Sequence, residues 1–178
     1  VGSGLSDMGF DNHATNTNSV DTGSNTAGTQ IRLNQVFKNL VMSSYATISG
    51  NSAHAIRNQG GTHIDITNIR CYNGAHGIAY RGSWGNISNI YVENGISSAV
   101  VVKAAGSTGD AEYVNISNVI SNNTSAGTPA SRGASILVQT VDMSDGYPDK
   151  NVRFVNISNC VVYNSGAPSV WIQKASTG

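Results

Sequence analysis

The sequence predicts an all-β fold, a right-handed parallel β-helix solenoid of about six rungs with three short parallel sheets. Three observations lead to this prediction. A short phrase repeats along the chain, polar and apolar columns repeat at constant distances from it, and no helical periodicity of useful length occurs. We expect residues 1–178 to form a single β-helix domain and to be a fragment of a longer chain.

The repeated phrase consists of an apolar residue, a Ser or Thr, an Asn and a second apolar residue. Its copies, of which the last two are weaker, are Ile66-Thr67-Asn68-Ile69, Ile87-Ser88-Asn89-Ile90, Ile116-Ser117-Asn118-Val119, Ile157-Ser158-Asn159-Cys160, Leu5-Ser6-Asp7-Met8 and Phe37-Lys38-Asn39-Leu40. In a straight strand, residues three positions apart point to opposite faces, so two inward apolar residues require a bend between them. Asn suits a bend because it tolerates the left-handed backbone conformation.

Two further sets of residues repeat with the bends. A short polar residue follows five positions later at Asn12, Ser44, Asn73, Asn94, Asn123 and Asn164. A second strand then places Ile56, Ile78, Val100, Ile136 and Val170 inward and ends in Gln59, Arg81, Lys103, Gln139 and Gln173. The bends are 32, 29, 21, 29 and 41 residues apart, so the shortest rung takes 21 residues and the longer rungs carry loops.

The rung spacing of a parallel β-helix, about 4.8 Å, places two pairs of residues. His54 and His76 occupy equivalent positions on adjacent rungs and should stack about 5 Å apart. Such a pair could bind a substrate carboxylate or act as acid and base, and the alternative is two stacked residues at the start of a strand. Cys71 and Cys160 are three rungs apart, roughly 14 Å, so they should not form a disulfide.

Composition and charge exclude several kinds of partner. Ten basic and ten acidic residues give a formal net charge of zero, so no long-range field would attract nucleic acid. No apolar run approaches the roughly 18 residues that a membrane-spanning helix needs. We therefore expect neither nucleic acid nor a membrane as a partner.

Two long insertions should carry a cluster of carboxylates. Residues 104–113 and 140–153 lie on neighbouring rungs and would bring together Asp110, Glu112, Asp142, Asp145 and Asp149. Such a cluster could hydrolyse a glycosidic bond, with one acid protonating the leaving oxygen and another activating water or attacking. It could instead bind calcium, or consist of ordinary turn residues. No other cofactor is predicted, and no spacing indicates a zinc site.

Residues 51–117 resemble the pectin-lyase-like superfamily, and in more detail the polygalacturonase type of glycoside hydrolase. Gly74-Ala75-His76-Gly77-Ile78 is similar to that family's Gly-His-Gly motif, and Val101-Val102-Lys103 stands where the family has Arg-Ile-Lys. The resemblance implies that His76 and Lys103 face a sugar-binding groove. With the neighbouring His54 and Arg81, they are the predicted substrate-binding residues.

The sequence departs from that family at its catalytic positions. The aspartate pair expected one rung before His76 is replaced by Asn51-Ser52-Ala53-His54, and the Arg of the second motif is Val101. The resemblance therefore bears on fold and sugar binding more than on mechanism.

Apolar residues on the outside of the predicted coil indicate a homo-oligomer. They are Val101, Leu137 and Trp171 on the second strand and Val41, Tyr91, Ile120 and Val161 on the first, and they need a cover from loops or from another subunit. Phage tailspikes, which the sequence resembles in coil length and polar loops, are homotrimers. That resemblance implies a trimer and an extracellular or virion-surface location.

The leading functional hypothesis is a carbohydrate-active β-helix that binds and cleaves a surface or extracellular polysaccharide. Cleavage by hydrolysis would use the carboxylates Asp110, Glu112, Asp142 and Asp145. Cleavage by a lyase reaction would use Lys103, Arg81 or a His as base against a uronate. The alternative is a non-catalytic, glycan-binding or structural segment of a spike or adhesin.

Overall fold

A computed structural model describes residues 3–11, 20–21, 33–43, 54–74, 76–104, 109–124, 134–140, 150–166 and 168–173. These residues form thirteen β-strands and no helix. The strands are β1 Ser3–Asp11, β2 Val20–Asp21, β3 Leu33–Ser43, β4 His54–Gln59, β5 Thr62–Tyr72, β6 His76–Arg81, β7 Gly85–Glu93, β8 Val100–Ala104, β9 Ala111–Asn122, β10 Ile136–Thr140, β11 Val152–Ser158, β12 Val161–Tyr163 and β13 Val170–Gln173. Within this described part, no helix has the length and hydrophobicity needed to cross a bilayer.

The strands alternate between two sheets, and every pair is parallel. The first sheet has the order β1-β3-β5-β7-β9-β11, with β12 also paired to β9. The second has the order β2-β4-β6-β8-β10-β13. The predicted all-β class with parallel sheets is therefore confirmed. We call one run of the chain through the first sheet and then the second a pass.

The repeated residues lie in register, and we call a set of residues aligned across successive strands a column. In the first sheet Ile66 pairs with Ile87, Ile87 with Ile116 and Ile116 with Ile157. In the second sheet one column contains Val20, Ile56, Ile78, Val100, Ile136 and Val170. The columns expected from the sequence are those observed.

The first sheet bends at the predicted residues. Asp7, Asn39, Asn68, Asn89, Asn118 and Asn159 form one column with φ between 51° and 57°. The apolar residues on both sides of a bend, such as Ile66 and Ile69, are fully buried. In the second polar column Asn73, Asn94, Asn123 and Asn164 have the same left-handed conformation, while its other two predicted members, Asn12 and Ser44, lie outside the described residues. The bend predicted at each Asn is therefore confirmed.

The described residues form two sheets, whereas three were expected. The strands before and after each bend count as one long strand in β3, β5, β7 and β9, because both halves pair with the same neighbouring strands. In the last pass the bend at Asn159 separates β11 from β12, and both pair with β9. The local bend is as predicted, but it does not create a third sheet.

One hydrophobic core, rich in Ile and Val from both sheets, contains the inward residues of β3 to β10. Tyr80 is fully buried and larger than the Ile and Val residues of this core. Its hydroxyl donates a hydrogen bond of 3.1 Å to the Ser83 carbonyl. Cys71 is buried in this core, and Cys160 packs against it partly buried. Both thiols are free, as the predicted separation of the two residues requires.

Candidate functional site

The histidine pair lies at the start of two neighbouring strands of the second sheet. His54 opens β4 and His76 opens β6, and their rings stack with centroids 4.7 Å apart and an interplanar angle of 22°. The predicted separation of about 5 Å is confirmed. Both side chains are largely buried, with 4% and 7% of their surfaces exposed.

The packing of nearby residues indicates that the histidine pair lies on the outer face of the second sheet. Ala134 precedes Ile136 by the same two positions that separate His76 from Ile78. It packs with Val101 and Leu137, whose neighbours along each strand belong to the central core. Since side chains alternate along a strand, Val101 and Leu137, and with them Ala134, must lie on the opposite face of the sheet from the core. Ala55, which directly follows His54, belongs to the core, and a Cβ on Gly77, which directly follows His76, would meet the core residue Val92, so both histidines lie on the outer face.

Burial and a nearby cation keep His76 neutral. Loss of solvent around the ring, followed by the positive charge of Lys103, lowers the pKa of His76 from 6.5 to about 4. Its Nδ1 atom is buried and has no hydrogen-bond partner among the residues that the structure describes. A neutral imidazole with an open ring nitrogen can accept or donate one hydrogen bond, depending on its tautomer.

A polar column lies at the opposite end of the same strands from the histidines. It contains Gln59, Arg81, Lys103, Gln139 and Gln173. Arg81 Nη1 donates to Gln59 Oε1 at 3.4 Å, and Gln139 Nε2 donates to Gln173 Oε1 at 3.0 Å. The four predicted substrate-binding residues therefore lie on β4, β6 and β8, three adjacent strands.

The apolar residues expected outside the second sheet are already covered. Val101 and Leu137 are buried, and Trp171 packs against them. In the first sheet, by contrast, Val41, Ile120 and Val161 are exposed. Of the two predicted sets of outward apolar residues, only the set on the first sheet offers an apolar surface to a partner.

Asp110 and Glu112, two of the predicted catalytic carboxylates, share one arginine. Asp110 Oδ2 lies 3.1 Å from Arg153 Nη2, and Glu112 Oε1 pairs with the same nitrogen. Asp110 Oδ1 also accepts a 2.9 Å hydrogen bond from the Asn151 amide. These contacts connect the start of β9 to the start of β11, so the two acids have a structural role. Catalysis by Asp110 and Glu112 stays a prediction.

The other predicted carboxylates, Asp142 and Asp145, lie outside the described residues, as does Asp149. Among the residues that are described, no group of three or more His, Cys, Asp and Glu side chains is placed to hold a metal ion.

The first sheet carries a groove that the sequence reasoning did not identify. It runs along the bends Asn39, Asn68, Asn89 and Asn118 and has a volume of about 810 Å³. One wall is the column Val41, Arg70, Tyr91 and Ile120, with Tyr72 beside it. We call this the bend groove. The outward alternation after each bend was visible in the sequence, but the concavity results from the bend itself.

A third left-handed column, made of rings, was also missed. His63, Trp84, Tyr113 and Phe154 have φ between 53° and 56°. Their rings stack with centroid separations of 5.8, 4.1 and 4.8 Å along the column. The signal was present in the sequence, because these residues are 21, 29 and 41 positions apart, the spacing of the bend residues from Asn68 onward.

Comparisons of the chain with protein-family models, with curated proteins and with solved structures found no match.

Proposed function

We propose that the two sheets are faces of a right-handed parallel β-helix of the pectin-lyase-like type, and that this β-helix binds an acidic polysaccharide. Alternation of strands between two parallel sheets, bends in register and a core between the sheets support the fold proposal. A solenoid presents long, regular outer faces, which suit a polymer of repeating units.

The observation that carries the binding proposal is one outer face that holds the histidine pair at the start of its strands and the cations Arg81 and Lys103 at their ends. The positive charge of Lys103 contributes, after burial, to the lowered pKa of His76, so the cation acts on the imidazole through space. Arg57, which follows the inward Ile56, adds a third cation to the outer face of β4. Cationic donors next to a neutral ring donor favour the carboxylates and hydroxyls of an acidic sugar.

Cleavage is a second candidate function, favoured by one observation. His76 is neutral at physiological pH, and within the described part of the chain its Nδ1 atom has no hydrogen-bond partner, so it can accept a proton from a uronate in a lyase reaction. Hydrolysis by Asp110 and Glu112 is less favoured, because Arg153 occupies the space between them. We place such a protein outside the cell or on a virion surface, as a homo-oligomer such as a trimer.

Binding is tested with Arg81→Gln and Lys103→Gln against linear polyuronates and neutral dextran. Each substitution should weaken retention of the polyuronate by about tenfold, because it removes one charge-assisted hydrogen bond worth about 1.5–3 kcal/mol. Lys38→Gln removes an exposed charge from the first sheet and should have no effect. Unchanged polyuronate binding in both variants would refute the proposal.

Cleavage is measured in the same samples as new reducing ends and unsaturated products. Unsaturated products that disappear in His76→Gln would support a lyase, and reducing ends without unsaturation would support hydrolysis. Binding without either product would identify a non-catalytic glycan-binding protein.

A further inference from the structure

We propose that the bend groove on the first sheet is a separate binding site for a linear polysaccharide that carries carboxylate groups. This proposal does not depend on glycan binding by the second sheet, because the two faces belong to different sheets. Its support comes from the hydrogen bonds of the bend residues, the side chains of the wall, and the shape of the groove.

The ladder of bend amides is interrupted in the middle of the groove. Asn68 Nδ2 donates to Asn39 Oδ1 at 3.0 Å, and Asn118 Nδ2 donates to Asn89 Oδ1 at 3.1 Å. Between these bonds, Asn68 Oδ1 and Asn89 Nδ2 make no hydrogen bond with any described residue. One acceptor and one amide donor therefore remain side by side for a ligand.

The neighbouring ladder is continuous from Asn73 through Asn94 to Asn123. Asn94 donates to Asn73 at 3.0 Å and Asn123 donates to Asn94 at 2.8 Å. Left-handed geometry alone therefore does not produce the interruption. A sugar hydroxyl can donate to one amide and accept from the next, so a glycan could fill the interruption.

Arg70 and Tyr91, adjacent in the wall column, add charge and an aromatic surface. Arg70 forms no ion pair with another described residue, so its guanidinium can pair with a ligand carboxylate in bidentate fashion. The Tyr91 hydroxyl donates to Glu93 Oε2 at 3.1 Å, which fixes the ring before a ligand arrives.

The tyrosines keep open ring faces, unlike the exposed ring column. Tyr72 and Tyr91 are tilted by 53°, so neither covers the other's face. The rings from His63 to Phe154 lie within 13° of parallel and stack on one another, so Trp84 and Tyr113 have a ring against each face. An open aromatic face can pack against the apolar side of a sugar ring, so the bend groove is the better glycan site.

The shape of the groove favours a chain over a second copy of the protein. Two copies related by a twofold axis would place the concave groove against itself and leave it unfilled. A linear polymer laid along the column instead contacts four successive strands, β3, β5, β7 and β9. These strands span about 14 Å at roughly 4.8 Å per strand.

The test measures calorimetric binding of oligosaccharides from polygalacturonate, alginate and hyaluronate, with dextran oligosaccharides as the neutral probe. Arg70→Gln should weaken binding of the acidic probes by about tenfold and leave dextran unchanged. Tyr91→Ala should weaken all the probes that bind. Asn89→Gly should weaken them too, because it keeps the left-handed conformation and removes the carboxamide.

Asn123→Gly is the matched control, since it makes the same change in a continuous ladder outside the bend groove, and it should bind like the wild type. If Arg70→Gln, Tyr91→Ala and Asn89→Gly all bind like the wild type, or if no acidic probe binds, the groove proposal is overturned. Loss of binding confined to Arg81→Gln and Lys103→Gln would assign the glycan to the second sheet alone. A change of oligomeric state in Tyr91→Ala, with binding intact, would assign the groove to a subunit contact instead.

Discussion

Fourteen described residues other than glycine have a positive φ, and they form three columns. Asn and Asp fill two of them, as expected for residues that tolerate this conformation. The third contains Trp84 and Tyr113, for which the conformation costs roughly 1–2 kcal/mol per residue. Stacking between neighbouring rings contributes about 0.5–1.5 kcal/mol per pair and offsets much of that cost. The same backbone geometry is thus obtained from two different side-chain chemistries.

The buried His76 should make stability depend on pH. Its pKa is about 4 in the folded protein against 6.5 for the free group, so the unfolded chain takes up the proton first as pH falls. Stability should therefore be complete above about pH 6.5 and decline by up to about 3 kcal/mol on acidification to pH 4. Urea denaturation at a series of pH values measures this slope.

Two groups face His76, the stacked His54 on β4 and Lys103 on β8. His76→Gln cannot titrate and should flatten the pH dependence, whatever its effect on absolute stability. Lys103→Gln should make the loss of stability on acidification smaller, because removing the repelling charge raises the folded-state pKa of His76 towards 6.5. A slope that is the same in His76→Gln and the wild type would contradict this account.

At the level of elements, adjacent strands share space through paired large and small residues. Tyr80 on β6 is fully buried, and a Cβ on Gly85 of β7 would lie only 2.7 Å from its ring atom Cε1. In the next pass the corresponding residues are Val102 and Val114. The large Tyr80 and the small Gly85 in one pass thus occupy the positions that two valines occupy in the next pass. The register of the sheets is the same in both passes.

Gly85→Val should destabilise the protein by roughly 1–3 kcal/mol, because the new side chain overlaps the Tyr80 ring. Tyr80→Val should also destabilise it, by leaving a cavity and removing the hydrogen bond to Ser83. The double variant reproduces the Val pair of the next pass and should be more stable than the sum of the single effects predicts. Chemical denaturation of all four proteins measures the coupling, and strict additivity would argue against the pairing.

The sequence predicted the columns better than it predicted the sheets. The bend at Asn68 was readable because two apolar residues three positions apart require a bend. The merging of both strand halves into one sheet was not readable, since it depends on backbone pairing across the bend. The role of Gly85 was not readable from the sequence either, because it depends on the contact with Tyr80 in the folded chain.

At the scale of the whole molecule, the burial of similar residues differs strongly from one strand of a sheet to the next. Val138 and Ile172 are paired in the same inward column, but Val138 is 6% exposed and Ile172 is 74% exposed. Only the strand on one side of β13 is among the described residues. In a stacked repeat each pass is stabilised by its neighbours, so identical substitutions should have unequal effects along the axis.

Val138→Ala should lower the free energy of unfolding by roughly 1–3 kcal/mol, because it opens a cavity between two paired strands. Ile172→Ala should change it by less than about 0.5 kcal/mol, as expected for an exposed side chain. Urea denaturation of the 178-residue chain gives both values. Equal losses would show that Ile172 is buried in solution.

Local patterns were enough to identify the all-β class, the bend residues, the inward columns and the stacking of His54 on His76, because each follows from the period of a strand and the spacing of a repeat. The ion pairs of Arg153 with Asp110 and Glu112, the concave bend groove and the neutral state of His76 required the folded chain. They depend on distances between residues that are far apart in sequence and on the exclusion of water, neither of which a local pattern contains.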